Sequence, residues 1–277
     1  MQADAARLNT ALDLGAATAR IEAQCLLQHV LEVPRSYLLA HSEHALDEIR
    51  QEAYDSLLQR RLQGEPVAYI LGEREFFGLS FKVTPDTLIP RPETELLVEL
   101  ALEHIPVRGQ FRVLDLGTGS GAIALSIAHA RPGADVMAVD TSEAALQVAT
   151  ENARRLGIAN TRFLRSDWFS GLAGQPYDLI VSNPPYVAAG DVHLSQGDAR
   201  FEPISALAAG ADGLDDIRRI VAQARDFLER DAWLLLEHGY DQADKVRSIL
   251  QQHGFTGVMS VKDMAGIERV SGGKLQN

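Results

Sequence analysis

The residues with the most specific chemistry form a short run at positions 183–186, directly after an apolar stretch that predicts a β-strand. Asn183, Pro184, Pro185 and Tyr186 combine an amide, two ring-restricted residues and a phenol. Each proline fixes φ and lacks an N–H donor, so the chain is stiff there. The Asn183 side-chain oxygen and the Pro184 carbonyl are two acceptors for the hydrogens of a planar –NH2 group, and Tyr186 offers a flat face for stacking. The run therefore predicts a clamp for an amide or a nucleobase amine.

A glycine-rich loop lies further upstream, between a predicted strand and a predicted helix. Glycine lets the backbone approach a ligand closely. The next predicted strand ends in Asp140, about 20 residues beyond the loop, where a carboxylate can accept hydrogen bonds from both ribose hydroxyls. Together these features predict a site for a ribose-bearing cofactor. The loop positions expected at that site are Gly117, Thr118, Gly119, Ser120 and Gly121.

The glycine spacing distinguishes between classes of cofactor. The dinucleotide fingerprint is G-x-G-x-x-G, which places a pyrophosphate at a helix N-terminus. This chain has D-x-G-x-G-x-G, a pattern that resembles the first motif of Rossmann-like methyltransferases. That resemblance implies S-adenosylmethionine as the cofactor and S-adenosylhomocysteine as its product. The following strand ends near Asp167, which can accept from an adenine amino group, and Trp168, which can pack near the adenine ring.

Methyl transfer from a sulfonium to a planar nitrogen accounts for the clamp. The lone pair of such a nitrogen is delocalised, so the nitrogen is a poor nucleophile. Two acceptors that bind both hydrogens orient the nitrogen and favour the more tetrahedral, cationic form of the transition state. The motif by itself leaves adenine, cytosine and glutamine open as substrates.

The elements that must position these residues divide the chain into three parts. Residues 1–72 have helical periodicity, with Asp47 as a predicted N-cap. Residues 73–90 indicate a β-hairpin and a linker. In residues 91–277, predicted strands alternate with predicted helices, one of which covers 216–230. This alternation predicts a parallel sheet covered on both faces. The expected fold class is α/β: a Rossmann-like seven-stranded methyltransferase sheet with a small N-terminal all-helical domain.

Composition restricts the partner and the compartment. The chain has 277 residues, a net charge of −12 and 46% hydrophobic residues. This acidity works against sequence-independent DNA binding, which needs basic surface to displace counterions. A single cysteine, the lack of an apolar leader and the lack of a long apolar stretch favour a soluble cytoplasmic protein without membrane association. The histidines lack metal-ligand spacing, so we expect no metal site.

The whole chain resembles the release-factor glutamine methyltransferases, the PrmC (HemK) family. The resemblance is carried between residues 70 and 207 by LGEREFFGLSF, LIPRPETELLV, LDLGTGSGAIAL, SDWF, IVSNPPY and FEPISAL. It implies methylation of the side-chain amide nitrogen of the glutamine in the Gly-Gly-Gln loop of peptide-chain release factors. It also implies that Gly117 to Gly121, Asp140 and Trp168 bind the cofactor, that Asn183 faces both cofactor and substrate, and that residues 183–186 hold the glutamine. The N-terminal helices would then dock the release factor, and we expect a monomer without direct nucleic-acid contact.

Three alternatives stay open. A glutamine methyltransferase acting on a ribosomal protein would share the catalytic region, although RPETE at 91–95 looks like the release-factor branch. A nucleic-acid adenine N6-methyltransferase would need a basic surface. The two short basic segments, at 59–63 and 153–157, are explained more simply as solvated helix faces than as a nucleic-acid-binding surface. A module that only senses the cofactor has no need of the 183–186 clamp. We expect the polar segment 188–216 to cover the substrate. Arg91, Glu93 and Glu95 could bind the polar ends of the cofactor or cap a helix, and we favour a structural role. At the end of the fifth strand, His238 or Glu237 could touch the site, and we expect a structural or supporting role there.

Overall fold

The computed structural model describes residues 1–41, 43, 45–174 and 176–276. The chain separates into two compact units. The first comprises Met1–Glu73 and Ser195–Phe201, and the second comprises Arg74–Leu194 and Glu202–Asn277. Within the described residues, no helix combines the length and the apolarity needed to cross a membrane.

The first unit is helical. Its core lies between helices whose apolar residues recur at helical spacing, and Leu8, Leu26 and Leu58 are fully buried there. The Asp47 side chain accepts a hydrogen bond from Arg50 N at 2.9 Å, so the predicted N-cap is confirmed. The helices are α1 (Gln2–Leu12), α2 (Ala16–Leu31), α3 (Arg35–Ala40), α4 (Glu48–Leu62) and α5 (Val67–Leu71).

The second unit contains a two-stranded hairpin and a seven-stranded sheet with helices between its strands. The hairpin strands are β1 (Glu73–Phe76) and β2 (Leu79–Lys82). The sheet strands are β3 (Phe111–Leu116), β4 (Ala134–Asp140), β5 (Thr161–Arg165), β6 (Tyr177–Ser182), β7 (Leu228–Glu237), β8 (Phe255–Lys262) and β9 (Glu268–Leu275). The helices are α6 (Glu95–His104), α7 (Ala122–Ala130), α8 (Glu143–Leu156), α9 (Asp215–Ala224) and α10 (Ala243–Gln252).

The strand order in the sheet is β5-β4-β3-β6-β7-β9-β8. Strands β3 to β7 pair in parallel, whereas β9 is antiparallel to both β7 and β8. The expectation of a parallel sheet is therefore correct for the five strands β3 to β7, whereas the last two strands, β8 and β9, pair only antiparallel. The physical reason is the connection: β8 and β9 are joined by a tight turn at Asp263, and a short turn can join only antiparallel strands.

The helix predicted over 216–230 is shorter in the structure. Helix α9 ends at Ala224, a 3-10 turn covers Arg225–Phe227, and Leu228 already pairs with Tyr177 in the sheet. Leu228 is buried in the sheet core, so burial of this apolar residue overrides the helical pattern that continues through it.

Alternate residues of the sheet strands face two different helical layers. Val113 packs with the core that includes α6 and α7, whereas Leu114 packs with the core that includes α9 and α10. Strands β4 and β6 lie on opposite sides of β3, so the strand order reverses there. In such sheets the crevice at the carboxyl ends of the strands is where ligands bind. The predicted α/β fold with its seven-stranded sheet and N-terminal helices is confirmed.

Candidate active site

A cleft with a volume of about 380 Å³ opens at the carboxyl ends of the strands in the second unit. This size falls within the ~300–1,000 Å³ common for small-ligand sites. Seven of the predicted site residues border it: Gly117, Gly119, Asp140, Asp167, Trp168, Asn183 and Pro185. The remaining predicted residues are not part of its lining: Thr118, Ser120, Gly121, Pro184 and Tyr186.

The glycine loop is tied to the neighbouring strand by its backbone. Gly117 N and Thr118 N both donate to Val139 O at 2.9 Å. Gly119 follows with φ of +55°, a conformation that favours glycine, and no atom lies within 4 Å of the position that its Cβ would occupy. Gly119 therefore leaves open space at the cleft, and its backbone is accessible to a ligand.

Thr118, Ser120 and Gly121 stabilise the loop from behind. Thr118 Oγ1 donates to Oδ2 of the fully buried Asp115 at 2.6 Å, and the Ser120 carbonyl accepts from Asn152 Nδ2 at 2.9 Å. Burial raises the pKa of Asp115 to about 7. A Cβ at Gly121 would lie 3.0 Å from Leu125 Cδ1 and 3.2 Å from Ala149 Cβ, so a side chain at this position would press on both neighbours.

Asp140 is held by two backbone donors at the end of β4. Gly119 N donates to Oδ2 at 2.9 Å and Ser142 N donates to Oδ1 at 2.8 Å. Burial raises the pKa of Asp140, and these hydrogen bonds oppose that shift. Each carboxylate oxygen keeps a further lone pair, so the side chain can still accept from a ligand in the cleft.

Trp168 and Asp167 form another wall of the cleft. The Trp168 ring lies over Gly117, where a Cβ would come within 3.4 Å of Trp168 Cζ3. Asp167 is paired with Arg219 of α9, whose Nη2 donates to both carboxylate oxygens at 2.9 and 3.1 Å. Arg219 and Asp216 also border the cleft. Sequence reasoning missed both, because a polar position on an amphipathic helix looks like solvated surface until the sheet is assembled.

Asn183 receives a defined orientation from a residue that sequence reasoning also missed. Its Nδ2 donates to Thr94 Oγ1 at 3.2 Å, although the two residues are 89 positions apart. Since the other end of a planar amide carries the oxygen, Oδ1 points to the side opposite Thr94. Thr94 is 4% exposed and sits in the 3-10 turn Pro92–Thr94 that precedes α6. No feature of the RPETE segment marks this threonine over its neighbours.

Tyr186 is held at both ends. Its hydroxyl donates to Glu237 Oε1 at 3.3 Å, and its carbonyl accepts from Gln242 Nε2 at 2.9 Å. Burial raises the pKa of Tyr186, and the Glu237 charge adds to this effect. Burial also raises the pKa of Glu237 to about 7. The buried Glu237 carboxyl group thus contacts Tyr186, a member of the predicted clamp.

The residues expected to be structural make buried or local contacts. The two ring nitrogens of His238 lie 2.9 Å from Gly239 O and 2.8 Å from Ser271 Oγ. Arg91 pairs with Glu202, whose Oε1 also accepts from Ile89 N at 2.9 Å. These contacts hold the start of the segment that contributes Pro203, Ser205 and Ala206 to the cleft. Glu95 Oε1 accepts from the hairpin residue Phe77 N at 2.9 Å.

Solved structures share this fold at low sequence identity. A methyltransferase from Pyrococcus furiosus is 18% identical, with a TM-score of 0.56 over 80% of this chain and 100% of that one. The hMettl16 catalytic domain, in complex with an RNA hairpin, is 16% identical, with a TM-score of 0.59 over 80% and 81%. A T. thermophilus 16S rRNA methyltransferase in complex with AdoMet and guanosine is 21% identical, with a TM-score of 0.56 over 74% and 50%. These likenesses establish the fold.

Sequence comparison is more specific. Residues 6–72 match the PrmC N-terminal domain and residues 94–202 match the methyltransferase small domain. The release factor glutamine methyltransferase of Bordetella pertussis is 52% identical over 92% of this chain and 95% of its own. Those of Neisseria gonorrhoeae and Salmonella typhimurium are 53% and 49% identical, over at least 92% of each chain. With the methyltransferase fold and both domains matched, the chain belongs to the release factor glutamine methyltransferase family.

Proposed function

We propose that this enzyme uses S-adenosylmethionine to methylate the side-chain amide nitrogen of the glutamine in the Gly-Gly-Gln motif of peptide-chain release factors. The relatives that cover almost the whole chain are named for this reaction. The observation that supports it most is the orientation of Asn183, whose amide borders the cleft while its Nδ2 is engaged by Thr94. That orientation leaves an acceptor oxygen for an –NH2 group.

The residues around the cleft fit the cofactor. Gly117 and Gly119 leave room along the loop, and the Asp140 carboxylate lies where it can accept from ribose hydroxyls. The Trp168 ring offers an apolar face for the adenine, and Asp167, at the exposed rim, can accept from the adenine amino group. Thr118, Ser120 and Gly121 do not line the cleft and instead stabilise the conformation of the loop through their buried contacts. The bound cofactor supplies an electrophilic methyl group on a sulfonium.

The protein's own residues prepare the nucleophile. Asn183 Oδ1 and the Pro184 carbonyl accept the two amide hydrogens, which orients the nitrogen and favours its more tetrahedral, cationic form in the transition state. Pro185 stiffens the turn and Tyr186 supports the flat amide group. Orientation of this kind can lower a barrier by up to ~7–11 kcal/mol. Formation of the new N–C bond would be matched by cleavage of the sulfonium S–CH3 bond, whose electron pair stays on sulfur as S-adenosylhomocysteine leaves. The cationic amide nitrogen would then release one proton to water, and the product would be a neutral N-methyl amide.

We further propose that the region 1–72 docks the protein substrate. The supporting observation is that residues 6–72 match the PrmC N-terminal domain, separate from the methyltransferase match at residues 94–202. A helical unit with its own core can present a fixed surface to a partner.

The experiment that tests the proposed function offers three acceptors to the enzyme in the presence of radiolabelled S-adenosylmethionine: a release factor, the ribosomal proteins and DNA. A release factor whose Gly-Gly-Gln glutamine is replaced by alanine is the matched control. We expect label on the intact release factor and none on the control. Label on the ribosomal proteins or on DNA instead would replace this assignment with a different substrate class.

A further inference from the structure

A buried glutamine between β7 and α10 binds the backbone of the amide clamp and has no role in the reaction as described so far. Gln242 directly precedes α10 and is 5% exposed. Its Nε2 donates to Tyr186 O at 2.9 Å and to Asp212 O at 3.3 Å, and its Oε1 accepts from Gly239 N at 2.8 Å. One side chain therefore joins the clamp, the end of the 188–216 segment and the chain that leaves β7.

The chemistry of the three partners leaves a single orientation for the Gln242 amide. The carbonyls of Tyr186 and Asp212 can only accept, whereas the backbone N–H of Gly239 can only donate. The amide nitrogen is therefore directed at the two carbonyls, and the amide oxygen is directed at Gly239. Rotation of the side chain would break all three hydrogen bonds in a buried place, so Gln242 holds its neighbours in fixed positions.

Close packing restrains the same point of the clamp from another side. Gly213 has φ of +74°, and a Cβ there would lie 2.2 Å from Tyr186 O and 2.9 Å from Gln242 Nε2. Val187, the next residue after the clamp, forms two backbone hydrogen bonds of 2.8 and 2.9 Å with residues 207–209. The Tyr186 carbonyl is therefore held against the end of the 188–216 segment, with Gln242 as its donor.

The far end of the Tyr186 ring is contacted from the same connection. Its hydroxyl donates to the buried Glu237 at 3.3 Å, which is longer than the ~2.5–3.0 Å usual for a hydrogen bond between two oxygens. The hydroxyl contact therefore restrains the ring only weakly. The backbone from which the ring projects is held by the shorter Gln242 bond, so Gln242 contributes the greater part of the restraint.

We propose that Gln242 is a positioning residue, which fixes the Tyr186 backbone and thereby the place of the ring that supports the substrate amide. This inference rests on the proposed function, because it assigns the ring to the support of that amide. Without Gln242, the Tyr186 and Asp212 carbonyls lose a donor and the clamp backbone shifts toward other partners. Gln242 is not part of the cleft lining, so the enzyme would then bind its cofactor normally but methylate slowly.

Gln242→Met tests this most directly, because methionine has a similar length and lacks the amide. Gln251→Met is the matched control, since Gln251 lies exposed on α10. Single-turnover rates of release-factor methylation are expressed per cofactor-binding site, counted by titration calorimetry, so that unfolded molecules do not contribute.

We expect Gln242→Met to be at least about tenfold slower than wild type, because a misplacement of about 1 Å can cost about 100-fold in rate. Its cofactor affinity should change less than about twofold, and Gln251→Met should match wild type in both measurements. A Gln242→Met rate within a few-fold of wild type, or a loss of cofactor affinity as large as the loss of rate, would overturn the proposal.

A double-mutant cycle separates positioning from a general loss of structure. If Gln242 acts through the Tyr186 ring, Gln242→Met should cost little in a Tyr186→Ala background, where no ring remains to be positioned. We expect its effect to fall from at least about tenfold to less than about threefold there. The same fold-loss in both backgrounds would overturn the proposal.

Gln242→Asn guards against misfolding of Gln242→Met. It keeps a buried amide and withdraws that amide from Tyr186 O by one methylene group, so it takes the place of Gln242→Met in the same cycle with the same expected outcomes. If wild type labels the release factor and the variants match it, the inference alone fails. If wild type labels another acceptor instead, the proposed function fails, and the rates of the same variants on that acceptor decide the inference.

Discussion

The backbone N–H of Gly119 donates to Asp140 Oδ2 at 2.9 Å, which joins the glycine loop after β3 to the carboxylate that ends β4. Ser142 N donates to the other oxygen of the same carboxylate, at the start of α8. One side chain therefore fixes the shape of the loop, caps the next connection and faces the cleft. These three roles make Asp140 the residue on which we expect cofactor affinity to depend most.

We predict that Asp140→Ala weakens S-adenosylmethionine binding at least about tenfold, since hydrogen bonds to charged groups contribute about 1.5–3 kcal/mol. Asp135→Ala is the matched control, because Asp135 lies at the other end of β4 in an exposed pair with Arg162. Titration calorimetry on both variants measures the effect. Unchanged affinity in Asp140→Ala would remove the ribose role from this residue.

Gly121→Ala should destabilise the second unit by about 1–3 kcal/mol, because the new methyl group would press on Leu125 and Ala149 and because φ is +84° there. Gly190→Ala is the comparison, since no atom lies within 4 Å of its Cβ position. Urea unfolding followed by circular dichroism gives both free energies of unfolding. A Gly121→Ala variant as stable as Gly190→Ala would show that the start of α7 can move away from α8.

Arg61 and Arg60 are neighbours in the sequence whose replacement should destabilise the first unit to very different degrees. Arg61 is 2% exposed, and its guanidinium binds Glu22 at 2.8 and 3.0 Å and Asp198 at 3.0 Å within the first unit. Removing one partner of a buried ion pair costs about 3–5 kcal/mol, so we predict that Arg61→Ala strongly destabilises the unit. Arg60 pairs with Glu65 on the surface, and Arg60→Ala should cost less than about 1 kcal/mol.

Denaturant titration of Arg60→Ala and Arg61→Ala decides between these outcomes. A small loss for Arg61→Ala, similar to that for Arg60→Ala, would mean that its buried pairs can rearrange or admit water.

The stability of the protein should also carry a pH dependence from Asp115 and Glu237. Burial raises the pKa of each to about 7 in the folded state, above the ordinary 3.8 and 4.5. The folded state then binds these protons more tightly than the unfolded state, so their contribution is fully present at low pH and is lost as the pH rises to about 7. Asp115→Asn cannot ionise at this position. We therefore predict that its free energy of unfolding, compared with that of wild type, increases as the pH rises from about 5 to about 8.

Urea unfolding of wild type and Asp115→Asn at those two pH values measures the change. The same difference in unfolding free energy at both pH values would show that Asp115 titrates in its ordinary range.

The sequence allowed the fold and much of the cleft to be predicted because both depend on local patterns. The spacing of Gly117, Gly119 and Gly121 after a strand is a local signal, and so is the proline pair after Asn183. Strand direction was harder, since the apolar pattern of β9 is the same as that of a parallel strand and only the short connection to β8 distinguishes it. The predicted end of α9 was also wrong, because burial of Leu228 in the sheet core ends the helix earlier than its sequence pattern indicates.

The residues that sequence reasoning missed have partners far along the chain. Thr94 contacts Asn183 across 89 positions and Arg219 contacts Asp167 across 52. Neither residue belongs to a recognisable motif. In the sequence, Thr94 resembles an ordinary residue at the start of a helix, and Arg219 resembles an ordinary charged residue on a helix surface. Only the assembled sheet, which brings the carboxyl ends of its strands to one edge, places them beside the cleft.

The central claim is that Asn183 binds and orients the substrate amide, and single-turnover methylation of a release factor by Asn183→Ala tests it most directly. Loss of one preorganised partner in the transition state typically costs about 10²–10³-fold in rate. We predict a loss of this size with nearly unchanged cofactor affinity measured on the same sample. A variant that methylates within a few-fold of wild type would contradict the account.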